Sequence, residues 1–292
     1  MRGGCGDMAG GPVTDPAGTD PAGTDPAGSD PAGSGAKGTG AKGTAAAEIA
    51  RGFFGVQLLY ADALAARAGM AVADAITWHT NFHRLFAYGN LGKMAPDPDF
   101  LALARQTAAI ADHDQRLECL MAAYAARPFD GWPRERFPFG KHFACEAPDS
   151  AGIVRIHFRN RANTDAIGPL DAANYPQRRA DLGAMFGFIA ERWPDTRAIE
   201  GASWLYNLEA YRRLFPPAYA NSRTPRIGPH PTHGLSTWGQ FLDYRGALKA
   251  KVAAPFIDNL QQLDPAEPWR AFPYNVLATH APFAAFREEY GL

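Results

Sequence analysis

The chain has 292 residues, 46% hydrophobic and 20% charged, which is enough apolar material for one sizeable core or two smaller ones and excludes a wholly disordered chain. Lys and Arg number 29 against 30 Asp and Glu, a formal net charge of -1, so there is no global basic field of the kind that attaches a protein to nucleic acid or to an anionic membrane. Cys5, Cys119 and Cys145 lack CxxC or CxxH spacing, no apolar run approaches the roughly 18 residues of a membrane span, and residues 1–14 hold no apolar leader core. A cytoplasmic protein with neither a nucleic-acid nor a membrane partner is expected.

The first 47 residues form a separate material. The pentapeptide Thr14–Gly18 recurs as TDPAG, TDPAG and SDPAG before passing into GSGAKGTGAKGTAAA. No large apolar residue follows Val13, so nothing repays the entropy of ordering, and a disordered tail is expected. From Glu48 the pattern turns helical. Ile49, Phe53, Val56, Tyr60 and Leu64 share one face of a helix ending near Gly69. A second helix follows through Asp74, Trp78, Phe82 and Phe86. Asp97 as N-cap with Pro98 at the first position opens a third, which runs to Pro128. Residues 48–136 therefore read as a helical subdomain.

Beyond the aromatic connector 129–138 the period becomes two. Phe139, Lys141, Phe143 and Cys145 alternate with His142, Ala144 and Glu146, and after a turn at 148–152 Val154, Ile156 and Phe158 alternate with Arg155, His157 and Arg159. This predicts a hairpin. Further on the pattern predicts a helix over 175–193, a strand over 198–205, a helix over 208–220, a strand over 236–243, a helix over 248–263, a strand over 274–279 and a helix over 282–290. The expected class is α+β: a disordered tail, a helical N-terminal part, and over 137–292 a mixed, largely antiparallel sheet with helices.

The order of strand, long helix, strand and short aromatic helix over 153–219 resembles the cofactor half of the GNAT family of acyl-CoA acyltransferases. The run Asn207-Leu208-Glu209-Ala210-Tyr211-Arg212-Arg213-Leu214-Phe215 carries that family's Asn, Ala, Tyr and Phe, without the spacer between Ala and Tyr and without its Gly. The glycine-rich phosphate loop before the long helix is absent. In its place Arg178 and Arg179 lie near that helix's N-terminus, where charge and backbone N–H groups suit a pyrophosphate. The resemblance implies acyl-CoA as a substrate, bound with help from Arg178, Arg179 and Asn207. It also implies attack by a small amine or hydroxyl acceptor on the thioester. Tyr211 would protonate the leaving thiolate, and Glu146 or His157 would take the acceptor's proton.

Other readings stay open. The missing glycine motif suits a non-catalytic binding or regulatory module with a degenerate acyltransferase fold. A metal-dependent helical enzyme would draw on His79 and His83 at i and i+4, with Asp112, His113 and Asp114 across the third helix; His230 and His233 form a second incomplete pair. No metal is expected in the preferred reading. A serine nucleophile at Ser203, with Asp243 and His280 downstream, lacks the second glycine of G-x-S-x-G, since Leu205 stands there. Arg134-Glu135-Arg136 and Arg155, Arg159 and Arg161 supply local positive charge without a nucleic-acid motif.

Overall fold

The computed structural model describes residues 41–89, 91, 95–126, 136–159, 166–226 and 232–292. The pentapeptide repeat, most of the connector, and His230 lie outside the described residues. Among those described, no helix is long and apolar enough to cross a membrane.

The chain is α+β, with a helical N-terminal part over 50–126 followed by a six-stranded mixed sheet with helices. Helix α1 (Ala41–Ala68) begins seven residues before the expected boundary at Glu48 and buries Phe53, Phe54, Leu58, Tyr60, Ala61 and Leu64. The second expected helix is two, α2 (Val72–His79) and α3 (Phe82–Leu85). They part where the Thr80 hydroxyl bonds back to the carbonyl of Ile76 at 2.6 Å and the backbone N–H of Asn81 is taken by the Gln57 side chain at 2.7 Å. The third divides into α4 (Pro98–Ala109), capped as expected by Asp97 on the N–H of Asp99 at 2.8 Å, and α5 (His113–Ala126). The break is a capping event. Ile110 is extended at φ -81°, ψ 124°, and Asp112 accepts the N–H of Gln115 at 2.9 Å, so it starts a new helix instead of continuing the old one.

The expected long strand through Phe139 and Cys145 is instead a tight hairpin of β1 (Arg136–Phe139) and β2 (Phe143–Glu146). Gly140, at φ +56°, makes the turn, and a Cβ there would stand 2.5 Å from the Asp181 carboxylate. β3 (Ile153–Phe158) pairs antiparallel to β2, as the alternation predicts. Helix α6 (Tyr175–Arg192) then crosses over to β4 (Ala198–Ser203), parallel to β3. The helix expected over 208–220 is two short pieces, α7 (Glu209–Arg212) and α8 (Pro217–Asn221), because Pro216 and Pro217 deny the first helix its continuation. A short edge strand β5 (Thr224–Pro225) follows.

The strand expected over 236–243 is helical instead, as α9 (Leu235–Trp238) with a 3-10 turn over Gly239–Phe241. Trp238, Phe241 and Leu242 are buried together at helical spacing, against Tyr60, Phe256 and Phe272. Helix α10 (Ala250–Asn259) joins the same cluster, so the buried apolar side chains from 238 to 272 pack on the helical part, while Ser236 reaches the sheet at Ala202. The chain then returns as β6 (Leu277–Pro282), three residues later than the expected 274–279, and ends in α11 (Phe283–Tyr290). The sheet order is β1-β2-β3-β4-β6-β5.

One face of the sheet is closed. Leu182, Met185, Phe186 and Ile189 of α6 and Phe283 and Phe286 of α11 are buried with Cys145, Val154, Ile156 and Ile199, each large side chain stabilising the fold by about 1.5–3 kcal/mol. The opposite face looks toward α3 and the segment 233–236, and it carries Arg136, Glu146, Arg155 and Glu200 of β1 to β4 and His280 of β6.

Candidate functional site

Strand pairing decides which side chains share the open face. Residues opposite each other in a ladder lie on the same side, and Arg136↔Glu146, Ala144↔His157, Arg155↔Glu200, Glu200↔His280, Ala202↔Ala278 and Thr224↔Ala278 are such pairs. Two rows run across the sheet. One carries Arg155, Glu200 and His280, and the other carries the small residues Ala202 and Ala278 at its centre. Small side chains leave room there. The resulting cleft, about 700 Å³, is floored by these residues and walled by Arg84 at the end of α3 and by His233, Gly234 and Ser236.

Glu146 and His157, eleven residues apart in sequence, meet in this cleft. The imidazole Nε2 and Glu146 Oε1 are 2.8 Å apart, and Arg136 stands 3.5 Å from the same oxygen. An ionised carboxylate can only accept, so Nε2 carries the hydrogen and, in the neutral ring, Nδ1 is left as the basic nitrogen. Burial lowers the His157 pKa below its ordinary 6.5. The bond and charge of Glu146 pull it up, while the charges of Arg136 and Arg84 push it down. At neutral pH the ring is therefore an uncharged base held by a carboxylate.

Beside His157 the sheet opens. β3 and β4 pair at Ile153↔Ala198, Val154↔Ile199 and Arg155↔Glu200 and then diverge, so Ile156–Phe158 and Gly201–Ser203 do not pair with each other. A hollow of about 70 Å³ lies there, bounded by Ile156, His157 and Phe158 on one side, Ala202 and Ser203 on the other, and Tyr211. Tyr211 is buried against Phe158, Tyr206 and Phe215. Burial, reinforced by the neighbouring Tyr206, raises its pKa well above the ordinary tyrosine value. Behind it the hydroxyls of Tyr206 and Tyr219 meet at 2.7 Å, directly over Gly201, where a Cβ would lie 2.2 and 2.3 Å from the two oxygens.

The remaining expected site residues are held elsewhere. Arg178 is buried and paired with Asp181 at 3.2 Å. Arg179 pairs with Glu289 at 2.8 Å and stacks on the Tyr290 ring at 4.4 Å. Neither lines the cleft. Asn207 donates to the carbonyls of Trp204 at 2.6 Å and Asn275 at 2.9 Å, tying the end of β4 to the approach of β6. Ser203 uses its hydroxyl to cap the following turn at Leu205, and Asp243 caps its own turn at Arg245 and Ala247, so these two do not form a triad with His280. His83 donates from Nδ1 to the Gly89 carbonyl at 3.0 Å and accepts the Asp97 N–H on Nε2 at 3.1 Å, which leaves it no lone pair for a metal. Among the described residues no group of three His, Cys, Asp or Glu side chains is placed to hold a metal ion.

Arg84, Glu200, Arg226 and His280 were not singled out for the cleft from sequence. The alternation of β4 carries a weak signal for Glu200, but Arg84 and Arg226 come from elements whose position over the sheet no local pattern encodes. Comparison of the chain with protein-family models, with curated proteins and with solved structures finds no match.

Proposed function

We propose that the cleft is the site of an acyl-CoA-dependent transfer to the amine or hydroxyl of a small acceptor. The observation that carries this reading is the Glu146–His157 pair set at the edge of the β3–β4 opening. Where two parallel strands part, each presents backbone N–H and C=O groups to the gap. An extended amide-bearing chain such as pantetheine can pair with such groups as an added strand does. A thioester delivered by that chain would arrive next to His157.

In the proposed step the acceptor's lone pair attacks the thioester carbonyl carbon, and a new C–N or C–O bond forms as the C–S bond breaks. Nδ1 of His157 takes the acceptor's proton, and Glu146 stabilises the imidazolium that results. Tyr211, kept protonated by its burial, lines the hollow and would give a proton to the departing thiolate. The internal engagement of Arg178 and Arg179 favours a second reading, a binding module of the same architecture without turnover. Isothermal titration of the full chain with coenzyme A and acetyl-CoA separates the two. Micromolar binding of the acetyl form is the expected result, and absence of heat with either ligand rules out the transferase.

A further inference from the structure

Arginines outnumber carboxylates among the described residues of the cleft. Among the described residues lining it are four arginines, Arg84, Arg136, Arg155 and Arg226, against Glu146 and Glu200. Both carboxylates are committed. Glu146 is held by Arg136 and His157, and Glu200 lies 3.7 Å from Arg155, which also reaches Asp149 at 3.3 Å.

Arg226 enters no ion pair among the described residues. Its backbone N–H is fixed to the Val276 carbonyl at 2.8 Å, just past β5, and its side chain is exposed at the rim of the cleft. Arg84 adds positive potential from the opposite wall, felt by His157 as one cause of its lowered pKa. Between the two walls the Ala202 and Ala278 floor leaves space for a small molecule, with Thr224 two residues before Arg226 and His280 farther along β6 as further polar lining.

We propose that Arg226 holds a carboxylate or phosphate group of the acceptor at the β5 end of this cleft, while the acceptor's nucleophile faces His157. This deepens the acyltransferase reading and rests on it for the role of the nucleophile; the anion site itself rests on the charge and shape of the cleft. A guanidinium offers two parallel donors to either anion, which an ammonium or a neutral amide cannot. From β3 to β5 the sheet spans three strand spacings, about 14 Å. The acceptor must bridge that span less the reach of the two side chains. This favours a compact amino acid or a phosphorylated small molecule over a simple amine.

The test is titration of the full chain, at low ionic strength, with two matched pairs: phosphoserine against serine, and glutamate against glutamine. At least one acidic member is expected to bind ten-fold or more tighter than its neutral partner, with affinity that falls as salt is added. A preference for phosphoserine assigns a phosphate ester, and a preference for glutamate a carboxylate. Arg226→Gln is expected to abolish the preference, while Arg67→Gln on the exposed side of α1 leaves it intact. Equal binding within both pairs, or an undiminished preference in Arg226→Gln, overturns the proposal. Acetyl-CoA titrated in the same preparations keeps the two ideas apart. Anion preference without acetyl-CoA binding removes the transferase and leaves the anion site, and the reverse removes the anion site alone.

Discussion

His157 gives its Nε2 hydrogen to Glu146 across the β2–β3 ladder at 2.8 Å, so the pair is set by strand register and not by proximity in sequence. If Nδ1 is the base, His157→Gln lowers kcat by about 10²–10⁴-fold with little change in acetyl-CoA affinity. Single-turnover assays beside titration would show this. A variant with unchanged kcat removes His157 from the chemistry.

The pH dependence follows from the same pair. A base must be neutral to act, and burial already holds the His157 pKa under 6.5, so the acid limb of kcat/KM falls below that value. Glu146 raises this pKa through its bond and its charge. Glu146→Gln keeps an acceptor for Nε2–H but removes the charge, and the acid limb is expected to move to still lower pH. Loss of activity with no acid limb left to measure would mean that Glu146, not His157, is the titrating base.

Tyr211→Phe separates chemistry from packing. The ring contacts with Phe158, Tyr206 and Phe215 survive and only the buried hydroxyl is lost, with a stability change of about 1 kcal/mol or less. A kcat loss of ten-fold or more at near-wild-type Tm supports a proton donor. Full activity with the same small stability loss makes Tyr211 a packing residue.

Gly201→Ala should be costly although the backbone there needs no special φ. The added methyl meets the Tyr206 and Tyr219 hydroxyls at 2.2 and 2.3 Å, and both rings are locked by Tyr211, Phe215 and Phe286. Overpacking of this kind costs about 1–3 kcal/mol, read as a lower midpoint in denaturant. Tyr219→Phe in the Gly201→Ala background should recover part of that loss by removing one of the colliding oxygens.

Acid should loosen the helical part through His83. Its neutral ring joins the Gly89 carbonyl to the Asp97 N–H at the start of α4, and burial lowers its pKa below 6.5. As pH falls through 6.5 the unfolded chain takes a proton that the folded ring resists, so folding stability declines with acidification. His83→Gln should be less stable at pH 7 by about 1–2 kcal/mol and lose part of that acid sensitivity, measured as chemical denaturation against pH. An unchanged pH slope would assign the effect to another group.

The sequence by itself determined the elements whose signals are local. The apolar face of α1, the Asp97-Pro98 start of α4, the alternation of β3 and the long α6 are all written in spacing and caps, and these depend on residues within a few positions of one another. It also named Glu146 and His157 as neighbours on adjacent strands. Only the tertiary structure decided that they share a face, because one residue of slip at Ala144↔His157 would turn the imidazole into the core. It alone made Trp238 and Phe241 helical, since the aromatic wall of Tyr60, Phe256 and Phe272 that receives them comes from distant segments. Arg179 shows the same limit from the other side: its charge was legible, but the partner that holds it, Glu289, is chosen by how α6 lies on α11, whereas Arg178 meets Asp181 three residues on along its own helix.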